Sequence, residues 1–232
     1  AVVSAIAKDI KLSKKKFSEF GVLYRTNAQS RALEDSFRRN GIPYIIVGGI
    51  RFYERKEIKD ILAYLRLIIN PKDMISLQRI VNFPPRGIGL KTIAKCQDLA
   101  NKRNVALFDV FKDLSSLELR NKQINSLAFF YDLIIKYRGL VDKLDPNEFT
   151  RSLVEESGII KFYKSSDLSE DIERLENINE LLNSIADYTA RSTKNNLKGF
   201  LEEVALLTDL DKWNQQDNRV SLMTIHASKG LE

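Results

Sequence analysis

The chain has 232 residues, with 37 Lys and Arg against 31 Asp and Glu, a formal net charge of +6 and a hydrophobic fraction of 44%. That balance belongs to a folded globular protein, in one large domain or two modest ones, and excludes a disordered one. No run of about 18 apolar residues offers a membrane span, and Ala1 to Ile10 lacks the basic-then-apolar pattern of a secretory signal. One cysteine, Cys96, excludes an internal disulfide, and one histidine, His226, leaves structural zinc without enough ligands. This usage fits a cytoplasmic protein.

Charge is unevenly spread. Residues 1–72 carry a net +8, residues 73–150 a net +3 and residues 151–232 a net −5. A basic front third points to a polyanionic partner, or equally to a plain solvated basic surface. The last residues, Gly230-Leu231-Glu232, follow a strand-like run directly. The expectation is therefore an internal cut in a longer protein.

In chain order, the spacing predicts a helix over Val2–Ile10 and a basic turn at Lys14-Lys15-Lys16. Gly21-Val22-Leu23-Tyr24 reads as a buried strand, after which Arg25-Thr26-Asn27 leaves it. Ser30 is placed to cap a helix running to Arg39, which Asn40-Gly41 ends. Ile42–Val47 is β-branched and strand-like, and Gly48-Gly49 breaks it. Glu54–Ile69 carries the strongest helical signal, with Ile58, Ile61, Leu62, Leu65 and Ile69 on one face and Asn70-Pro71 as its stop. Phe52 and Tyr53 lead into it and read as mainly structural.

Beyond Pro71 the periods are mostly helical: 75–81, 90–101, 126–137, 147–157, 168–191 and 197–208. Asp145-Pro146-Asn147 reads as a turn and 214–218 as a polar loop. A strand returns at Val220–Ile225. The predicted fold class is α/β, a parallel layer interrupted by a mostly α-helical insertion.

Four motifs carry chemistry. Arg86-Gly87-Ile88-Gly89-Leu90-Lys91-Thr92 has the glycine-apolar-glycine hairpin that opens a helix in helix-hairpin-helix DNA binders. Glycines admit a phosphate close to the backbone, and free helix N-terminal amides donate to its oxygens. Such contacts hold the backbone of DNA without reading its sequence. The pattern is short, and an ordinary glycine turn explains it as well. Thr224-Ile225-His226-Ala227-Ser228-Lys229-Gly230-Leu231-Glu232 follows a strand directly, where open α/β sheets carry binding residues. Tyr24-Arg25-Thr26-Asn27 stands at a strand end too. Its arginine is suited to a phosphate, or to an ordinary salt bridge. Gly48–Asp60 mixes aromatic and basic residues as single-strand binding surfaces do, and equally as a helix start does.

No glycine is followed by lysine, so no phosphate-binding loop is present, and there is neither an Asp-Glu pair nor a Gly-x-Ser-x-Gly elbow. No complete catalytic constellation can be read from the chain.

Taken together, these segments resemble the UvrD/PcrA/Rep family of superfamily-1 DNA helicases. The resemblance rests on Leu-Tyr-Arg-Thr-Asn-Ala-Gln-Ser-Arg over 23–31, Gly-Gly-x-Arg-Phe-Tyr-Glu-Arg-Lys-Glu-Ile-Lys-Asp over 48–60, the Gly-Ile-Gly loop, and the 220–232 segment, which is similar to helicase motif V. It implies a partial RecA-like domain (2A) interrupted by the helical inserted domain 2B. The implied boundaries are 1–72 for the first part of 2A, 73–217 for 2B and 218–232 for the return, with joints near Asn70–Asp73 and Gln215–Asn218.

The resemblance further implies a parent that uses ATP and Mg2+ to unwind DNA in the 3′-to-5′ direction, in repair or replication. The fragment alone would be inactive and need no cofactor. Arg25, Asn27, Thr224, His226 and Lys229 would meet single-stranded DNA. Arg86, Gly87, Gly89, Lys91 and Thr92 would grip duplex phosphates, and Glu232 would approach the nucleotide. Implied partners are single-stranded and duplex DNA, with repair, replication or transcription proteins through 2B, and no membrane. The rival expectation is a stand-alone, non-catalytic DNA-binding or protein-docking module.

Overall fold

The computed structural model describes residues 2–13, 15–166, 168–191, 196–213 and 218–229. The elements run α1 (Val2–Ser13), β1 (Gly21–Tyr24), α2 (Ser30–Arg39), β2 (Tyr44–Ile46), α3 (Lys56–Ile69), α4 (Met74–Ile80), α5 (Leu90–Arg103) and α6 (Leu107–Val110). They continue with α7 (Asn121–Arg138), α8 (Pro146–Glu156), α9 (Ile159–Lys164), α10 (Ser169–Arg191), α11 (Leu197–Trp213), β3 (Val220–Thr224) and α12 (Ile225–Ser228). The protein is thus mixed α/β, with a small parallel sheet and mostly helices. No described helix is long and apolar enough to cross a membrane. Two compact units divide the chain: Ala1–Ile58 with Leu168–Leu181 and Glu202–Glu232, and Lys59–Asp167 with Leu182–Leu201.

The first unit is built on the sheet, whose order is β1-β3-β2 with both pairings parallel. β1 and β2 do not pair with each other. β3, arriving about 170 residues after β2, fills the place between them, setting Tyr24 opposite Thr224 and Ile46 opposite Leu222. Alternation along the strands sends Val22, Tyr24, Tyr44, Val220 and Leu222 to one face. They are buried there with Val3 and Ile6 of α1, Phe37 of α2, and Ile42. At roughly 25 cal/mol per Å² of apolar surface, each such side chain contributes about 1.5–3 kcal/mol.

The second unit is helical. From Ile61 through Ile68, α3 exposes only Arg66 and buries Ile61, Leu62, Ala63, Tyr64, Leu65, Leu67 and Ile68. The expected apolar stripe is therefore the core of a helix buried nearly all round. Aromatic pairs fill in around it, among them Phe111 with Phe130 and Tyr137 with Phe149, edge to face at 6.3 and 5.3 Å between centroids.

Four local expectations are corrected. Ser30 does not cap α2. The capping reciprocity belongs to Thr26 and Gln29 around a short 3₁₀ turn at Asn27–Gln29, and Ser30 is turned inward. The strand expected over 42–47 is regular only at Tyr44–Ile46, because the Ile42 amide turns back to the Phe37 carbonyl and Pro43 has no amide to give. Asp145-Pro146-Asn147 starts α8 instead of making a free turn. The Asp145 carboxylate accepts from the Asn147 amide at 2.8 Å, and Pro146 occupies the first turn, where a missing N–H costs nothing. Ile225 leaves β3 and opens α12.

Candidate nucleic-acid interface

The sheet unit collects three strand ends at one edge. Because the strands are parallel, the residues after Tyr24, Ile46 and Thr224 all emerge at the carboxyl ends, where binding loops of open α/β sheets gather. Two motifs about 200 residues apart thereby become neighbours, and Gly48 joins them. It holds φ +69°, which favours glycine, and a methyl added there would sit a tight 3.3 Å from the Ala227 Cβ.

On this rim Arg25, His226 and Lys229 are exposed. The Arg25 side chain makes no hydrogen bond or ion pair among the described residues, while its amide donates to Gln29 Oε1 at 2.9 Å. Thr224 is partly committed: its Oγ1 accepts from the Ala227 amide at 3.0 Å and caps α12, leaving its own O–H free to donate. Asn27 donates from Nδ2 to Glu173 Oε2 at 2.9 Å and lines a cleft of about 330 Å³ with Gly48, Gly49, Lys56 and Asn177. Glu232 lies outside the described residues.

Behind the rim is a polar network that pattern reading missed. Glu34, fully buried, accepts from Ser30 Oγ at 2.8 Å, Arg38 Nη2 at 3.1 Å, Tyr44 Oη at 3.3 Å and the Phe52 amide at 3.2 Å. Arg55 donates to Ser30 Oγ at 2.6 Å and to Asn177 Oδ1 at 2.8 Å, and Asn177 donates on to Glu57 at 2.7 Å. Burial pushes the Glu34 carboxyl above its ordinary value, against Arg38 and the Ser30 hydrogen bond. Burial pulls Arg55 down, against Glu34 and Glu57. The signal present in the sequence was the i,i+4 spacing of Ser30, Glu34 and Arg38 on a single helix face.

The second candidate surface is the Gly-Ile-Gly hairpin of the helical unit. Asn82 Oδ1 accepts from the amides of Arg86 and Ile88 at 2.9 and 3.0 Å and so shapes the loop. Ile88 is buried beneath it, and Gly87 takes φ +75°. Gly89 precedes α5 with ordinary φ and faces open space. The amides of Gly89, Leu90 and Lys91 form no hydrogen bond among the described residues, and Lys91 is exposed.

Two hairpin residues are used internally. Thr92 is buried and accepts from Gln123 Nε2 at 2.7 Å. Arg86 sends its guanidinium inward. Nη1 donates to the carbonyls of Phe83 (2.6 Å), Ile80 (3.2 Å) and Pro84 (3.3 Å), and Nη2 to Tyr64 Oη (2.6 Å) and the Ser157 carbonyl (3.1 Å). Burial pushes the Tyr64 hydroxyl up to about 12, although Arg86 acts against it.

No cluster of three or more His, Cys, Asp or Glu side chains among the described residues is placed to hold a metal ion.

Comparison with known proteins gives a consistent answer. The model of the UvrD-like helicase C-terminal domain matches residues 1–232. The ATP-dependent DNA helicase PcrA of Staphylococcus epidermidis is 40% identical over 222 residues, which cover 95% of this chain and 30% of that protein. PcrA of Staphylococcus aureus is 39% identical over 220 residues, 94% of this chain and 30% of that protein. The chain thus spans about 30% of the length of the curated relatives it matches. With a family match along its whole length and this level of identity, the chain belongs to the UvrD-like helicases, within their C-terminal domain.

Proposed function

We propose that the chain is the DNA-handling part of a cytoplasmic, ATP-dependent 3′-to-5′ DNA helicase acting in repair or replication. In this reading residues 1–72 and 218–232 belong to RecA-like 2A and residues 73–217 are inserted 2B. ATP and Mg2+ are bound with residues of a longer parent, in which Glu232 approaches the nucleotide. The rim, with Arg25, Asn27, Thr224, His226 and Lys229, grips the phosphates of a single strand. The hairpin, through Gly87, Gly89 and Lys91, grips those of the duplex.

The parallel register of β1 and β3 carries the proposal. It sets Tyr24 opposite Thr224 and gives one sheet end a free guanidinium, an imidazole and an amine. At the hairpin the supporting features are unbonded amides, open space in front of Gly89, and Lys91. Arg86 and Thr92 support that loop from within.

The test is oligonucleotide binding by fluorescence anisotropy between 50 and 200 mM salt. Lys91→Glu is expected to weaken duplex binding about tenfold and to lower the salt slope by about one. Arg25→Ala and His226→Ala are expected to weaken single-strand binding and to leave duplex binding in place. The chain alone is expected to neither hydrolyse ATP nor unwind DNA. Turnover of ATP by the pure chain, or duplex affinity indifferent to Lys91→Glu, would overturn the corresponding part.

A further inference from the structure

Beside the hairpin, the helical unit has a groove of about 610 Å³ between α7 and the Pro84-Pro85 turn. No motif announced it. On α7, Lys122, Asn125 and Phe129 stand at i, i+3 and i+7, hence on one helix face, and all three are exposed, Phe129 by 48%. Lys122 and Asn125 make no hydrogen bond or ion pair among the described residues. No carboxylate lines the groove. Its floor is held firm, because Ser126 Oγ donates to the Arg86 carbonyl at 2.8 Å and Arg86 fixes the turn from below. The groove is continuous with the hairpin: a methyl added at Gly87 would lie 3.8 Å from Lys122 Cε.

We propose that this groove seats an unpaired nucleotide of a DNA strand next to the duplex-binding hairpin. The base stacks on the Phe129 ring, Asn125 meets its edge, and Lys122 meets its phosphate. An aromatic face with a nearby unpaired cation is the combination that holds single-stranded nucleic acid without sequence preference, since every base has a π-face. A peptide would find, besides the ring, only Pro84 and Pro85 as apolar surface, whereas a nucleotide uses the ring, Asn125 and Lys122 together. The inference rests on the reading of the chain as DNA-binding, and it adds a site that the hairpin alone lacks.

The experiment is photocrosslinking of a forked duplex carrying 5-iodo-2′-deoxyuridine in its unpaired arm, at saturating DNA, with the crosslinked residue mapped by mass spectrometry. The expected result is a crosslink at Phe129 that vanishes in Phe129→Leu. Phe129→Ala is expected to weaken forked-duplex binding about tenfold, and Phe129→Trp to preserve it. Since the ring is half exposed, these variants should keep the parent's thermal midpoint, which is measured alongside. Absence of a crosslink at Phe129 overturns the proposal and leaves the ring to a protein ligand. Lys91→Glu separates the two readings. If it leaves duplex affinity unchanged while the Phe129 crosslink forms, the hairpin assignment fails alone. If it weakens the duplex but Phe129 stays uncrosslinked, the groove assignment fails alone.

Discussion

Arg55, buried in the sheet unit, and Arg86, half-buried in the helical unit, have their charges compensated by different means. Arg55 sits in a network with Ser30 and Asn177, under the fields of Glu34 and Glu57. Arg86 meets no carboxylate among the described residues. Its partners are four carbonyl oxygens and the Tyr64 hydroxyl, with the rings of Tyr64 and Phe130 5.9 and 5.6 Å from its guanidinium carbon. Dipoles and ring faces solvate its charge without cancelling it. The positive charge at the base of the Gly-Ile-Gly hairpin therefore survives, and it favours an anion in front even though the side chain points inward. Behind the rim the charge is neutralised internally, and attraction for phosphate is left to the exposed Arg25 and Lys229.

The comparison can be broken most sharply at Arg55. Arg55→Ala removes a positive charge from the field of Glu57 and of Glu34, which keeps Arg38 at 3.1 Å, and strands Ser30 and Asn177, so about 3 kcal/mol is expected in urea unfolding. Arg86→Ala strands only neutral acceptors, so about 2 kcal/mol is expected. Arg86→Lys should recover little of this, since an ammonium lacks the planar fork that reaches five oxygens. Equal costs at the two sites would defeat the distinction between a charge set in the field of carboxylates and one solvated by dipoles.

Within the hairpin, Gly87→Ala is expected to cost roughly 1–2 kcal/mol, because its positive φ disfavours any Cβ. Gly89→Ala, with ordinary φ and open space ahead, should cost under about 1 kcal/mol yet weaken duplex binding as much as Lys91→Glu. Loss of stability at Gly89 without loss of binding would reduce the hairpin to a turn.

The last effect is alkaline. The folded Tyr64 hydroxyl ionises at about 12, above its ordinary value of 10.0. Its contribution is therefore full below pH 10 and is lost as pH rises towards 12, at up to about 1.4 kcal/mol per pH unit. Tyr64→Phe should flatten that part of the stability curve relative to the parent, measured by denaturant midpoints between pH 9 and 11.

The hairpin was legible because it is local. Its glycines, the buried Ile88 and the exposed Lys91 lie within five consecutive residues, and spacing alone implied their geometry. Helix periods were legible for the same reason, in α5, α8 and α10. The inward turn of Arg86 was not, since its acceptors include Tyr64, Ser157 and the backbone of a turn, and no periodicity records where a carbonyl points. The short α6 and α9 went unread, because one or two turns contain too few apolar repeats to declare a phase.

The sequence by itself determined most of the elements, the helical character beyond Pro71 and the chemistry of the exposed motifs, because propensity, glycine conformation and apolar spacing act over a few residues. Only the tertiary structure decided that β3 lies between β1 and β2, that Arg25 and His226 share a sheet end, and that Glu34 gathers four donors. Those arrangements depend on closing a loop of about 170 residues and on satisfying buried polar groups. Both are settled by which distant segments can pair and desolvate together.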